Sequence, residues 1–297
     1  MSPPDTLQTQ RRRAILCVLA AAVTYALAAV CVKALDGRIP LAQVVLFRSL
    51  FALPVLVVLL MRAGGWPMLR TKNPMGHFWR AIWGLVGMVT VYYGYTRLPL
   101  ANVTALGFTM PLFLTLLSVP LLGEKVGVRR FSAVLVGFGG VLLMLRPWET
   151  LGEDWLASGI VLLGAVGWAL AMISIRRMGE SGEPGVTIVM WFALYCAAMS
   201  LVVAVPGWVW PSALQWLLLA GVGAVSGVAQ LFMTAAYRSG DTTVVAPFEY
   251  SGIIWTAALG FLFWGEVPDA RDAAGMAVLV ACGLYIWHRE TRLGLKR

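Results

Sequence analysis

Apolar runs broken by charged, glycine or proline positions recur along the chain near 14–35, 41–61, 78–96, 101–122, 131–145, 157–175, 186–205, 213–237, 243–264 and 273–288. A helix rises about 1.5 Å per residue, so about 20 apolar residues cross the hydrocarbon core of a bilayer. The pattern therefore predicts an all-α polytopic membrane protein with ten transmembrane helices and short connections. Little chain is left for a separate soluble domain.

Composition sharpens this picture. The 297 residues are 60% hydrophobic and only 12% charged, against about 25% charged in a soluble domain. Thirteen tryptophans and 31 glycines suit interfacial anchoring and close helix approach. The net charge of +9 would suggest nucleic acid in a soluble domain. Here the basic residues sit in short breaks between apolar runs, which excludes that partner and points to the headgroups of the lipid bilayer. With ten spans both termini share a side. Placing them in the cytoplasm puts seventeen of the 23 Lys and Arg inside, among them Arg11-Arg12-Arg13, Arg70 and Arg80, and five outside, with Arg48 within a span. That bias is the positive-inside pattern. The run from Ala14 to Leu35 is longer than a signal-peptide core and reads as a retained span. Cys17, Cys31, Cys196 and Cys282 lie inside apolar runs without paired spacing, which implies neither a disulfide framework nor a metal site. His77 and His288 stand at segment ends, where an interfacial role is expected.

The chain also repeats itself. Leu121-Leu122-Gly123-Glu124 matches Phe263-Trp264-Gly265-Glu266, and Tyr25-Ala26-Leu27-Ala28 matches Trp168-Ala169-Leu170-Ala171, with Lys33 falling on Arg176. The offsets give two five-helix repeats, 14–148 and 149–288, between tails 1–13 and 289–297. Five is odd, so the second repeat crosses in the opposite sense, an inverted repeat around a central cavity of the kind that secondary transporters use.

The two Gly-Glu span ends, Pro111-Leu112-Phe113 in the fourth span and Ala246-Pro247-Phe248-Glu249-Tyr250 opening the ninth resemble the drug/metabolite transporter superfamily in its EamA-type branch. Within that branch the chain is similar to bacterial exporters of aromatic and other amino acids. The resemblance covers residues 14 to 288. It implies alternating access and export of small metabolites from the cytoplasm across a bacterial inner membrane.

Candidate binding residues follow from the cost of polar groups in lipid. Arg48 and Glu249 are the ionisable residues deepest in spans, and each must be paired or face a cavity. Glu249 reads equally as a proton or ammonium site and as a carboxylate capping its helix; Arg48 as a cavity group or, more simply, as a lock on backbone carbonyls. Their depths differ by about 10 Å, too far for an easy salt bridge. Tyr25 and Trp168 occupy matching places in the repeat, Tyr250 adjoins Glu249, Tyr92 belongs to an aromatic third span, and Gln230 is the amide deep in the eighth. Aromatic walls near a carboxylate suit a cationic or zwitterionic ligand. Pro111 is the hinge candidate in mid-span. No phosphate-binding loop, zinc helix or nucleophile elbow is present, so neither a cofactor nor ATP-driven transport within this chain is expected. The expected partner is a small amphipathic metabolite, most simply an amino acid. Efflux of organic cations is the alternative, with a membrane-embedded lipid-modifying enzyme behind it. Proton antiport fits if Glu249 titrates during the cycle, whereas facilitated diffusion needs no such group.

Overall fold

The computed structural model describes residues 4–122, 128–145, 153–239 and 248–294. These form α1 (Pro4–Ala34), α2 (Leu41–Ala63), α3 (Pro74–Arg97), α4 (Leu100–Gly107), α5 (Met110–Leu122), α6 (Val128–Leu145), α7 (Glu153–Glu180), α8 (Gly185–Ala204), α9 (Ala213–Ser239), α10 (Ser251–Trp264) and α11 (Ala270–Gly294), with no strand among the described residues. Among the described residues, six stretches are long and apolar enough to cross a membrane: Arg12–Ala34, Leu41–Ala63, Leu100–Leu117, Trp155–Glu180, Gly185–Gly207 and Ala213–Met233. Phe131–Met144 and Ser251–Trp264 are shorter apolar helices. The exterior is apolar: Val202, Leu262, Leu217 and Ile254 are each more than two-thirds exposed, which water would penalise and lipid does not.

Two details differ from the sequence expectation. Helix α1 begins at Pro4, so most of the expected tail 1–13 continues the first helix. The fourth span is two helices, because the backbone turns at Phe108 and Thr109; Thr109 N–H bonds back to Leu106 and its carbonyl starts α5 by accepting from Leu112 and Phe113. Pro54 and Pro120, by contrast, lie within helices that continue through them. The Gly123-Glu124 and Ala246-Pro247 motif residues lie outside the described residues.

Local chemistry fixes the ends. Asn73 caps α3 by accepting from the Gly76 N–H at 2.9 Å, and Pro74 supplies a first residue that needs no donor. Helix α10 stops at Gly265, whose φ of 67° is open to glycine at little cost. Its N–H returns to the Phe261 carbonyl and that of Glu266 to Gly260, which aims Glu266 back at the bundle.

Helix α1 packs on α9, α3 on α7, α2 on α8 and α6 on α11. Exchanging the two halves leaves this scheme unchanged, since it swaps the first pair with the second and maps the other two onto themselves. The seams are close because the contacting faces are small. A Cβ at Gly87 of α3 would fall 2.3 Å from the Trp168 ring on α7, and one at Gly223 of α9 2.3 Å from Phe51 Cβ on α2. Helices α2 and α8 run in opposite directions. The start of α2 is tied to the α8–α9 connection by Gln43, which donates to the Val209 carbonyl at 2.7 Å and accepts its N–H at 3.2 Å. The start of α8 is tied to the connection after α2, where Thr187 donates to the Met68 carbonyl at 2.6 Å.

Candidate substrate cavity

Between the halves lies a cavity of about 610 Å³, the size of a small-molecule site. Tyr25, Arg48, Tyr92, Pro111, Trp168, Gln230, Glu249 and Tyr250 all line it. They come from six helices and the segment ahead of α10, and so from both repeats. In α3 the lining positions are Arg80, Gly84, Met88, Val91, Tyr92 and Tyr95, a single face at the i, i+4, i+8 spacing of a helix.

The polar groups form a short belt. The Tyr25 hydroxyl donates to Gln230 Oε1 at 2.7 Å, joining α1 to α9 at the cavity wall. Arg48 has the Tyr92 hydroxyl as its polar neighbour, with Ser226 behind it. No carboxylate among the described residues lies within ion-pair distance of Arg48, and its Nε is buried without an acceptor. Glu249 sits just ahead of α10; beside it Tyr250 packs against the Phe108 ring at 4.9 Å and against Gly283. Pro111 is the second residue of α5 rather than a mid-helix kink, and the chain breaks just before it.

One wall residue was missed by sequence reasoning. Arg80, counted with the inner-side charges, belongs to the cavity. Its guanidinium lies 4.0 Å over the face of Phe192 and its Nη1 rests on Gly84, where a Cβ would clash at 2.2 Å. The signal was available, since position 80 is in register with 84, 88 and 92. Of the other aromatics in the third span, Trp79 is largely exposed and Trp83 does not line the cavity.

Each end of the bundle holds a cluster of paired charge. At one end the Lys33 ammonium bonds the Glu266 carboxylate, donates to the Leu98 carbonyl at 2.7 Å and lies over the Trp264 ring. The second Glu266 oxygen accepts the Leu100 N–H at 3.0 Å. At the other end Glu183 accepts from the Thr71 hydroxyl at 2.5 Å and the Lys72 N–H at 3.1 Å, with His77 Nε2 3.7 Å from its other oxygen. His77 is 1% exposed, a buried member of this end cluster. Burial pulls its imidazole below the usual histidine range, and the Glu183 charge offsets part of that. Burial would raise the Glu183 carboxyl, but its hydrogen bonds and His77 together leave it below the usual range.

An all-helical bundle with an apolar exterior and an internal cavity of metabolite size defines the class of polytopic membrane proteins that handle small molecules. Comparison with known proteins makes this specific. The EamA-like transporter family matches residues 12–146 and again 155–287. The chain belongs to the EamA-like transporter family, within the drug/metabolite transporter superfamily. It is similar to the pseudopaline exporter CntI of Pseudomonas aeruginosa, with 33% identity over 90% of this chain and 94% of the relative. It is also similar to a riboflavin transporter of Vibrio cholerae at 30% identity, covering 86% and 85%, and to an S-adenosylmethionine uptake transporter of Rickettsia prowazekii at 28%, covering 88% and 87%. A solved crystal structure of a protein matches with a TM-score of 0.66 at 19% identity, covering 94% of this chain and 98% of that one; it speaks for the fold alone. These relatives are named as transporters of different metabolites and in both directions, so the family is not tied to aromatic amino acids.

Proposed function

We propose that the chain is a secondary carrier that exports small amphipathic metabolites, amino acids including aromatic ones among them, by alternating access through this cavity. Ten spans in two inverted five-helix repeats, 14–148 and 149–288, would carry it across a bacterial inner membrane with both termini cytoplasmic. The observation that carries the reading is the convergence of Tyr25, Arg48, Tyr92, Trp168, Gln230, Glu249 and Tyr250, drawn from both halves, on one cavity. The two family matches, the exchangeable helix pairs and the opposed directions of α2 and α8 support the inverted repeat. The break before Pro111 supports a hinge in the fourth span, because a proline in the first turn of α5 disfavours a continuous helix through Met110. Organic-cation efflux loses ground against a wall that carries two guanidiniums and one carboxylate.

The test is counterflow of radiolabelled amino acids into liposomes holding the purified protein. Saturable exchange supports a carrier, chemical conversion of the solute an enzyme, and neither result with folded protein rejects the reading. A pH step applied without a substrate gradient reports proton coupling: a change in flux means that Glu249 or another group titrates in the cycle, and no change means facilitated diffusion.

A further inference from the structure

Arg80 and Arg48 leave the cavity with a charge it does not balance. They are within electrostatic range of each other and of the Cys196 thiol. No carboxylate among the described residues is within ion-pair distance of either. Arg80 Nε and Nη1 and Arg48 Nε are covered by protein with no acceptor, so an oxyanion in the cavity meets the two guanidiniums at their remaining nitrogens. A desolvated guanidinium with open donors is costly, and two like charges in a low-dielectric space add repulsion. Phe192 covers one face of Arg80, so the free bonding directions lie in the guanidinium plane. Those directions match the two oxygens of a carboxylate or a phosphate. Aromatic and aliphatic side chains make up most of the remaining wall.

We propose that the cargo is an organic anion or a zwitterion whose oxyanion group is held by Arg80 and Arg48, with its apolar body on the aromatic walls and any ammonium group turned toward Glu249. This rests on the carrier reading for its physiological meaning, but the binding itself does not require transport. It reverses the emphasis of the sequence, where Glu249 and the aromatics pointed to a positively charged ligand. The anchor is the anionic end, and a purely cationic amphiphile lacks it.

The experiment uses full-length protein in detergent and a matched set of probes: 3-phenylpropionate and phenyl phosphate as anions, L-phenylalanine as a zwitterion, and L-phenylalaninamide as a cation. Binding is read by tryptophan fluorescence and by the shift in melting temperature. An anion or the zwitterion should bind at least tenfold more tightly than the amide, and comparing propionate with phosphate identifies the preferred oxyanion. Arg80→Gln and Arg48→Gln should each erase that preference while the variants still fold. Arg80→Lys keeps charge but loses the planar fork and should recover only part of it. Equal binding of amide and acid, binding of none of the anions or the zwitterion, or a preference unchanged in folded Arg→Gln variants overturns the proposal. Anion binding without counterflow would reject the carrier reading and keep this one. Counterflow that favours the amide and ignores both arginines would do the reverse.

Discussion

The middle of the bundle and its two ends treat charge in opposite ways. Lys33 has a carboxylate, a carbonyl and an aromatic face, and Glu183 has a hydroxyl, an amide and a histidine. Each tie joins elements distant in sequence: α1 to the α3–α4 and α10–α11 connections, and the segment before α3 to the α7–α8 connection. Arg48 has the Tyr92 hydroxyl and Arg80 the Phe192 ring, but neither meets a carboxylate within ion-pair distance among the described residues. They sit on the cavity with three nitrogens lacking an acceptor, although a buried cation without a counter-charge costs more than almost any other group. Paired charge at the ends holds the helices; unpaired charge in the middle is held in reserve for a ligand.

Substitutions can break this contrast, and the largest effect should come from the cavity. Arg48→Gln combined with Arg80→Gln should lower counterflow by at least about a hundredfold, since each charged contact is worth about 1.5–3 kcal/mol. The melting temperature should hold or rise, because like-charge repulsion and desolvation are relieved. Glu249→Gln keeps size and hydrogen bonding while removing the charge, and should lower flux about tenfold if it meets an ammonium group or a proton. Flux within threefold and a slightly lower melting temperature would instead make it a helix-start carboxylate, a contribution of about 0.5–1 kcal/mol.

At the ends the order of effects reverses. Lys33→Met strands the Glu266 carboxylate and should cost about 1–3 kcal/mol of stability, seen as a lower melting temperature, while affinity for the bound anion stays near wild type. Adding Glu266→Leu should restore part of the loss, because the partner no longer carries an unmatched charge. A smaller effect is expected from pH. His77 is depressed in the fold, so its contribution is present above its unfolded value of about 6.5 and is lost as pH falls below it. Glu183 is also depressed, so its contribution is present above its unfolded value of about 4.3 and fades as pH falls further. Melting temperature measured from pH 7.5 down to about 2.5 should fall in that order, and His77→Gln should remove the upper step. The smallest change belongs to Pro111→Ala, which permits a continuous fourth span and should lower flux a few-fold without affecting insertion. Unchanged flux would make the break before Pro111 static.

Much of the cavity was legible because lipid makes polar groups conspicuous. A glutamate, an arginine and a glutamine inside apolar runs have few places to go, and Arg48, Gln230 and Glu249 all reach the cavity. Arg80 was hidden by the same logic applied to a boundary. It stands near the start of its run, close to Arg70 and Lys72, where a hydropathy window ends and a loop is assumed, while the helix starts earlier, at Pro74. The break at Phe108 and Thr109 carries no polar signature, since apolar residues continue across it. The end ties were illegible for another reason: Lys33 and Glu266, or His77 and Glu183, meet only through tertiary packing, and one chain read alone records no pairing between them.

The contrast between reserved and structural charge comes to its most direct test in one paired measurement, counterflow and melting temperature on the same preparations of Arg80→Gln and Lys33→Met. The account predicts a crossed result: Arg80→Gln loses at least tenfold in flux at an unchanged or higher melting temperature, and Lys33→Met melts lower yet binds the anion as the wild type does. An Arg80→Gln protein that melts markedly lower while its flux is preserved would make Arg80 a scaffold residue and contradict the account.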